Sequence, residues 1–323
     1  MKKTITVKKP VRLVAIALAL SAVAGTGLMH IFNQKVDRTL TESAEAYGYT
    51  EAAEPVTRDT LVPERDRDVR SYLFLGVDDA GLNYEEYGRG GRTDTMLLLV
   101  KNGTDIRVLE ISRDTMTEVD AYDTAGDYLS TGVMQINMQY SFGDSPRRSA
   151  YLTKRTVSKL LGGVDIDGTA ALNMSGIAPV VDALGGIDVV MEEDCTRIDP
   201  AYVRGAEIHM DGKAAERFVR WRDPAVSAGS NDGRMDRHSW FIRQMLEKAD
   251  SDRISKLLDA AEPYLNTDLT AEELKTLSEC RLTGMIRLPG EDRAGARHEE
   301  FYVDEDKLQD LIIELFYTTA AAG

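Results

Sequence analysis

Charged side chains flank the apolar runs of this sequence, and their types suit the binding of a cation or an anion. Asp78 and Asp79 follow the apolar run 72–77, and Arg92 and Asp94 precede a second run. Two carboxylates at strand ends can share one hard cation such as Mg²⁺, which keeps several waters and bridges to phosphate oxygens. The plain alternative is a solvated acidic loop, because the chain contains 54 acidic residues.

Three apolar runs predict strands that pair with one another. The segments 72–77, 95–101 and 106–112 are short runs of the kind found in buried strands. Asn102-Gly103 stands between the second and third runs and predicts a β-hairpin.

The antiparallel hairpin of the second and third runs gathers polar side chains at one rim of the sheet. Arg92 and Asp94 are then expected beside Arg113 and Asp114, and Asp78 joins the same edge if the first run pairs antiparallel with the second. Arginine and carboxylate at one rim can bind phosphate and a cation together. For Arg113 the alternative is a structural Arg–Asp pair.

A second group of arginines lies on two predicted helices, 212–222 and 235–249, and in the loop between them. These arginines are Arg217, Arg220, Arg222, Arg234, Arg237 and Arg243. Residues three apart share a helical face, so Arg217 with Arg220 and Arg234 with Arg237 are expected to present paired guanidinium groups to phosphate. Nearby aspartates offer the alternative of surface salt bridges. They are Asp223, Asp232 and Asp236.

The amino-terminal segment predicts a membrane anchor. Residues 1–12 form a basic leader, and the uncharged stretch 13–34 would span about 33 Å as a helix, close to the roughly 30 Å hydrocarbon core of a bilayer. The positive flank predicts a cytoplasmic leader and an extracytoplasmic remainder. We expect a stalk over 35–70 and one domain over 71–323. The alternative is a signal peptide cleaved after Ala22-Val23-Ala24.

Composition excludes several classes of protein. The 323 residues carry a net charge of −15, which disfavours nucleic-acid binding and makes local arginine clusters conspicuous. The two cysteines, Cys195 and Cys280, can form one bridge or remain free thiols. The sequence contains no GxxxxGK[ST] phosphate loop, HExxH motif or GxSxG elbow.

Helical patterns follow the strands along the chain. They cover 150–161, 173–184, 212–222, 235–249, 270–280 and 305–317, with a further strand over 187–191. Gly185-Gly186 suits a helix C-cap, and Thr270 with Glu273 predicts a capping box. The fold class predicted is α/β, an α/β/α sandwich with a mixed central sheet, preceded by one N-terminal transmembrane helix.

Eight short motifs, taken in order, resemble the LytR-CpsA-Psr family from about Tyr72 to the carboxyl end. They are Leu75-Gly76-Val77-Asp78, Gly91-Arg92-Thr93-Asp94-Thr95-Met96, Ile111-Ser112-Arg113-Asp114-Thr115, Ile136-Asn137-Met138-Gln139-Tyr140 with Gly143, Asp182-Ala183-Leu184-Gly185-Gly186-Ile187, Asp211-Gly212-Lys213-Ala214, Arg220-Trp221-Arg222, and Arg234-Met235-Asp236-Arg237. The short leader and single predicted span also match.

The resemblance implies a phosphotransferase that moves a glycopolymer, such as teichoic acid or capsule-like polysaccharide, from undecaprenyl pyrophosphate onto peptidoglycan. It implies Mg²⁺ held by Asp78 and Asp94. It also implies a set of arginines that bind the pyrophosphate: Arg92, Arg113, Arg220, Arg222, Arg234 and Arg237. Arg92, Asp94, Arg113 and Asp232 are the expected catalytic residues, with Asp94 or Asp232 as the base. A polyprenyl-phosphate-binding regulator and a polyprenyl-pyrophosphate hydrolase are the alternatives.

The chain departs from the family pattern at three places. Ser112 stands where proline is common, His238 where glutamine is common, and Asn231 where an acid is common, with Asp232 adjacent. From the rim position we expect Arg113→Ala or Arg220→Ala to abolish transfer without unfolding, because exposed arginines add little stability.

Overall fold

The three apolar runs form adjacent strands of one sheet in a computed structural model of the chain, which describes residues 64–66, 68–78, 84, 89–221, 240–241, 254–295 and 299–318. The strands are β1 (Glu64–Arg65), β2 (Arg70–Asp78), β3 (Arg92–Asn102), β4 (Asp105–Ile111), β5 (Met116–Tyr122), β6 (Tyr128–Gln135), β7 (Gly168–Asn173), β8 (Ile187–Val190), β9 (Glu207–Met210), β10 (Leu265–Thr267), β11 (Arg281–Arg287), β12 (Gly290–Ala294), β13 (Glu299–Val303) and β14 (Tyr317–Thr318). The α-helices are α1 (Pro146–Leu160), α2 (Ile177–Ala183), α3 (Gly212–Arg220), α4 (Ile254–Ala261), α5 (Ala271–Ser278) and α6 (Glu305–Phe316).

The central sheet has six strands in the order β10-β7-β2-β3-β4-β11. The predicted hairpin of β3 and β4 is confirmed. β2 pairs antiparallel with β3, which is the condition under which Asp78 joins the rim. Because β2 pairs parallel with β7, and β4 parallel with β11, the sheet is mixed as predicted. The β3–β4 turn follows the Asn-Gly signal, with Asn102 opposite Asp105 and Gly103 at φ 58°.

Helices cover both faces of the sheet, so the fold has three layers. On one face Tyr72 and Phe74 pack in a cluster with residues of α2 to α5. On the other face Leu73 and Leu75 pack with α1, α6 and the 3₁₀ helix Ile136–Phe142. The alternation of side chains along β2 therefore contributes to both cores, as expected for a central strand buried on both sides.

Capping residues set several helix boundaries. Ser145 accepts from the backbone of Arg148 and precedes Pro146, so α1 begins four residues before the predicted start. Both bonds of the predicted Thr270–Glu273 capping box are present. Gly185 and Gly186 follow α2 with φ values of 76° and 81°, as a glycine C-cap requires.

The helix predicted over 173–184 is divided. Asn173 ends β7, Met174–Gly176 forms a 3₁₀ turn, and α2 begins at Ile177. The helix predicted to end near Arg222 ends at Arg220, because Trp221 is extended at ψ 134°.

The chain also forms two-stranded hairpins outside the main sheet, among them β5–β6, which the sequence patterns did not predict. β1 pairs with β14, and Val69 is buried, so the folded domain includes residues on the amino-terminal side of Ser71. No helix among the described residues has the length and hydropathy to cross a bilayer. The predicted span 13–34 lies outside those residues, as does most of the helix predicted over 235–249.

Candidate active site

A β-bulge in β3 sets the direction of the rim residues. The pairing of β2 with β3 skips one residue, Asp94, which has no partner in β2. An extra residue shifts the alternation of side chains beyond it by one position. Arg92 thereby lies directly opposite Asp78, and directly opposed residues share a face of the sheet.

Arg113 lies between two buried carboxylates. Its Nη1 donates a short hydrogen bond to Oδ1 of Asp94, and its Nε lies 3.3 Å from Oδ1 of Asp114. The side chains of Arg113 and Asp94 are 14% and 4% exposed, and that of Asp114 is 6% exposed. The predicted meeting of these three residues is confirmed. The premise that Arg113 is an exposed rim arginine is wrong, because both partners and the tight turn after β4 enclose it.

Arg220 reaches the same rim from the end of α3. Its Nη1 donates to Oδ1 of Asp78 at 3.3 Å and its Nη2 to Oγ of Ser175 at 3.4 Å. Glu216, one turn earlier, places Oε1 3.0 Å from Nε of Arg220, without hydrogen-bond geometry. Arg220 and Asp78 are 32% and 24% exposed, so this pair is more accessible than the Arg113 pair.

Close packing against α2 fixes the position of α3. The carboxylate of Asp211 caps the helix by accepting from the backbone N–H of Ala214 at 2.8 Å. Asp182 of α2 accepts from the backbone N–H of Gly212 at 2.7 Å. A Cβ on Gly212 would lie 2.1 Å from the carbonyl oxygen of Ala178, so only glycine allows this approach.

The predicted pairing of Arg217 with Arg220 toward one phosphate is wrong. Nη2 of Arg217 donates to Oδ2 of Asp199 at 2.7 Å, and a hydrogen bond with Tyr202 raises the pKa of its guanidinium. Helical spacing places the two arginines on one side of α3, but their long side chains turn to different acids. Arg217 thus makes the surface salt bridge that was the alternative.

Arg92 is the most exposed of the three rim arginines that the structure describes. It is exposed, and no hydrogen bond or ion pair joins its guanidinium to any other described residue. Its position opposite Asp78 brings it beside the Asp78–Arg220 pair. Arg92 is therefore available to bind an anion.

Gln135 belongs to the site and was missed by sequence reasoning. Its Nε2 donates to Oδ1 of Asp114 at 2.6 Å and to the carbonyl oxygen of Glu299 at 2.9 Å. The available signal was its position directly before the Ile136-Asn137 motif. Its contact with Asp114 joins the β5–β6 hairpin to the rim.

Four of the expected site residues lie outside the part of the chain that the structure describes. They are Arg222, Asp232, Arg234 and Arg237. Their roles stay predictions.

The cation site expected at Asp78 and Asp94 involves two carboxylates on neighbouring strands. No group of three or more metal-ligating side chains occurs among the described residues. Mg²⁺ needs only one or two protein carboxylates when phosphate oxygens and waters complete its shell. The oxygen donors thus fit a cation shared with a phosphate better than a cation held by protein alone.

Solved structures share this architecture. One titled TagT bound to LI-WTA aligns with a TM-score of 0.58 at 21% identity, covering 83% of this chain and 96% of the other. Bacillus subtilis TagV aligns with a TM-score of 0.57 at 23% identity, covering 79% of this chain and all of the other. The chain thus has the mixed α/β fold of these proteins.

The family follows from the sequence comparison. The model of the LytR_cpsA_psr family matches residues 31–315, and the chain belongs to the LytR-CpsA-Psr family. A relative from Halalkalibacterium halodurans, named polyisoprenyl-teichoic acid–peptidoglycan teichoic acid transferase TagU, is 28% identical over 77% of this chain and 76% of its own. A Bacillus cereus protein of the same name is 27% identical over 76% of this chain and 77% of its own.

Proposed function

We propose that this protein is a phosphotransferase that moves a glycopolymer from a polyprenyl pyrophosphate onto peptidoglycan. Support comes from its family and from relatives named as teichoic acid transferases. The observation that carries the proposal is the convergence of Arg92, Arg113 and Arg220 with Asp78 and Asp94 at one sheet rim. Arginine binds phosphate with directed, charge-assisted hydrogen bonds, and carboxylates suit a bridging cation.

The reaction exchanges one phosphorus–oxygen bond for another. A hydroxyl oxygen of peptidoglycan bonds to the phosphorus next to the glycan, and the bond from that phosphorus to the oxygen of the lipid phosphate breaks. Catalysis of phosphoryl transfer rests mostly on positioning and on neutralising the spread negative charge. Arg92 and Arg220 supply accessible positive charge. The proton of the hydroxyl passes to a carboxylate, for which Asp94 and Asp232 are the candidates.

Asp78 and Asp94 would hold Mg²⁺ in this proposal. The cation would neutralise charge on the pyrophosphate oxygens. Asp78 is partly exposed and oriented by Arg220, while Asp94 is buried and oriented by Arg113. Each carboxylate is thus held in one orientation by an arginine of the same rim, as ligands of a small cation require.

The proposal places the protein in the cell membrane as a single-pass protein. Residues 1–12 are cytoplasmic, 13–34 form a signal anchor, and the catalytic domain lies outside. The support is the basic leader before an uncharged stretch of spanning length. Mass measurement of the intact protein from membranes tests it, since cleavage after Ala24 would remove the leader and half the span.

The function is tested with the purified full chain, a polyprenyl pyrophosphoryl disaccharide and a peptidoglycan oligomer, with and without Mg²⁺. Mass spectrometry is expected to detect a phosphodiester-linked adduct that needs both acceptor and metal. Release of lipid phosphate without an acceptor would indicate a hydrolase, and binding without turnover a regulator. Either result would overturn the proposal.

The chain offers a matched pair of control variants on one helix. Arg220→Ala removes the arginine that reaches the rim. Arg217→Ala removes the arginine three residues before it on α3, which pairs with Asp199 instead. We expect transfer to be lost in the first and retained in the second. Equal effects would show that the overall charge of α3, rather than the rim, governs activity.

A further inference from the structure

We infer that Gln135 is a positioning residue that orients Arg113 through the carboxylate of Asp114. The inference rests on the proposed phosphotransfer, because it concerns how one of the proposed anion-binding arginines is aimed. Gln135 ends β6 and is buried. Its amide contacts the carboxylate of Asp114, and that carboxylate contacts the guanidinium of Arg113.

Both hydrogens of the Gln135 side-chain amide are used in hydrogen bonds. Nε2 donates to Oδ1 of Asp114 at 2.6 Å and to the carbonyl oxygen of Glu299 at 2.9 Å. A side-chain amide nitrogen carries two hydrogens. Rotation of the amide would therefore break both bonds at once, leaving buried polar groups unsatisfied, which is costly.

The backbone around this contact is held on two sides. The N–H of Ile136 donates to the carbonyl of Thr115 at 2.8 Å, which joins the end of β6 to the turn after β4. The N–H of Phe301 donates to the carbonyl of Asp114 at 2.9 Å, which joins β13 to the same turn. Gln135 and Asp114 are thus fixed in one frame.

Arg113 takes its orientation from that frame. Oδ1 of Asp114, which accepts from Gln135, lies 3.3 Å from Nε of Arg113, and Nη1 of Arg113 is bonded to Asp94. Two of the three guanidinium nitrogens are occupied, and among the described residues Nη2 has no hydrogen-bond partner. Since the guanidinium is planar, holding Nε and Nη1 fixes the direction in which Nη2 meets a phosphate oxygen.

A neutral donor suits this role better than a charged one. Asp114 is one of two carboxylates around Arg113, and its charge attracts the guanidinium. Glutamine holds the carboxylate of Asp114 by a hydrogen bond and does not neutralise its negative charge, which continues to attract Arg113. Displacement of a catalytic group by about 1 Å can cost roughly 10²-fold in rate, so loss of this bond should reduce turnover.

A double-mutant cycle in the full chain tests the inference, with wild type, Gln135→Leu, Arg113→Ala and the combination. The probe for binding is geranylgeranyl pyrophosphate, and kcat for transfer is measured in parallel. We expect Gln135→Leu to lower kcat by roughly 10²-fold, and either single change to weaken probe binding about 10- to 100-fold. In the Arg113→Ala background, Gln135→Leu should add nothing, because its effect passes through Arg113.

Gln139→Leu is the matched control. Gln139 is also buried, but its amide bonds to the backbone of Asp120 and to Thr156 rather than to the rim. Any fold-change in probe affinity that Gln139→Leu causes should be the same in the wild-type and Arg113→Ala backgrounds, because the two residues act independently. If Gln135→Leu does not fold, Gln135→Met replaces it, since methionine is close to glutamine in length and has no hydrogen to donate to Asp114.

The outcomes separate the inference from the proposed function. Independent, multiplying effects of Gln135 and Arg113 on binding, or no effect of Gln135, would overturn the positioning role. Coupled effects on probe binding in a protein that shows no transfer would support the positioning role and reject the phosphotransferase.

Discussion

Replacement of Arg113 by alanine should destabilise the protein as well as stop transfer. The change removes the one guanidinium that the structure places between Asp94 and Asp114, whose side chains are 4% and 6% exposed. Removing one member of a buried ion pair costs about 3–5 kcal/mol, because the buried carboxylates lose the positive charge that faces them. Arg220→Ala breaks a more exposed pair with Asp78 and should cost only about 0–1 kcal/mol.

Urea denaturation of the purified protein measures the difference between Arg113→Ala and Arg220→Ala. For a domain of this size the Arg113 loss corresponds to a fall in melting temperature of roughly 6–20 °C. Adding Asp94→Asn to Arg113→Ala should recover part of the free energy of unfolding, since one of the two buried carboxylate charges is removed. A loss below about 1 kcal/mol for Arg113→Ala would refute the reasoning and indicate that water reaches both carboxylates.

The other predictions concern Arg92, the packing of α3 on α2, the two cysteine thiols and Mg²⁺. Arg92→Ala should lower transfer at least about tenfold with the free energy of unfolding unchanged within about 0.5 kcal/mol, which transfer assays and melting curves check together. Gly212→Ala should cost about 1–3 kcal/mol in urea denaturation, because its Cβ meets backbone of α2 at 2.1 Å. Iodoacetamide should modify Cys195 before Cys280, because burial raises the pKa of the Cys280 thiol; peptide mass mapping shows the order. Chelation should stop transfer, and Asp78→Asn should raise the Mg²⁺ concentration needed about 10- to 100-fold in a metal titration.

The strands and the rim followed from local signals. Apolar runs predicted β2, β3 and β4, and the Asn102-Gly103 turn predicted how two of them pair. Pairing then placed Asp94, Arg113 and Asp114 together without knowledge of the remaining fold. Hairpin geometry is local, so these residues were accessible to sequence reasoning.

The rest depended on long-range packing. β6 is mostly exposed, so hydrophobic alternation carried no signal for it, and Gln135 went unnoticed. The spacing of Arg217 and Arg220 predicted a common side of α3, but the position of Asp199 in a separate loop decided where Arg217 points. The bulge at Asp94 has no local sequence signature, because it appears only when β3 is aligned with β2.

The contacts of β13 with the turn after β4 affect how early in synthesis the site around Arg113 is complete. Phe301 bonds to Asp114, and Glu299 to Gln135 across 164 positions of sequence. A chain that is still being synthesised lacks β13 long after Arg113 has emerged. The arginine then has its neighbouring acids but not the strand that steadies them. Activity should therefore appear late, once nearly the whole domain has left the ribosome.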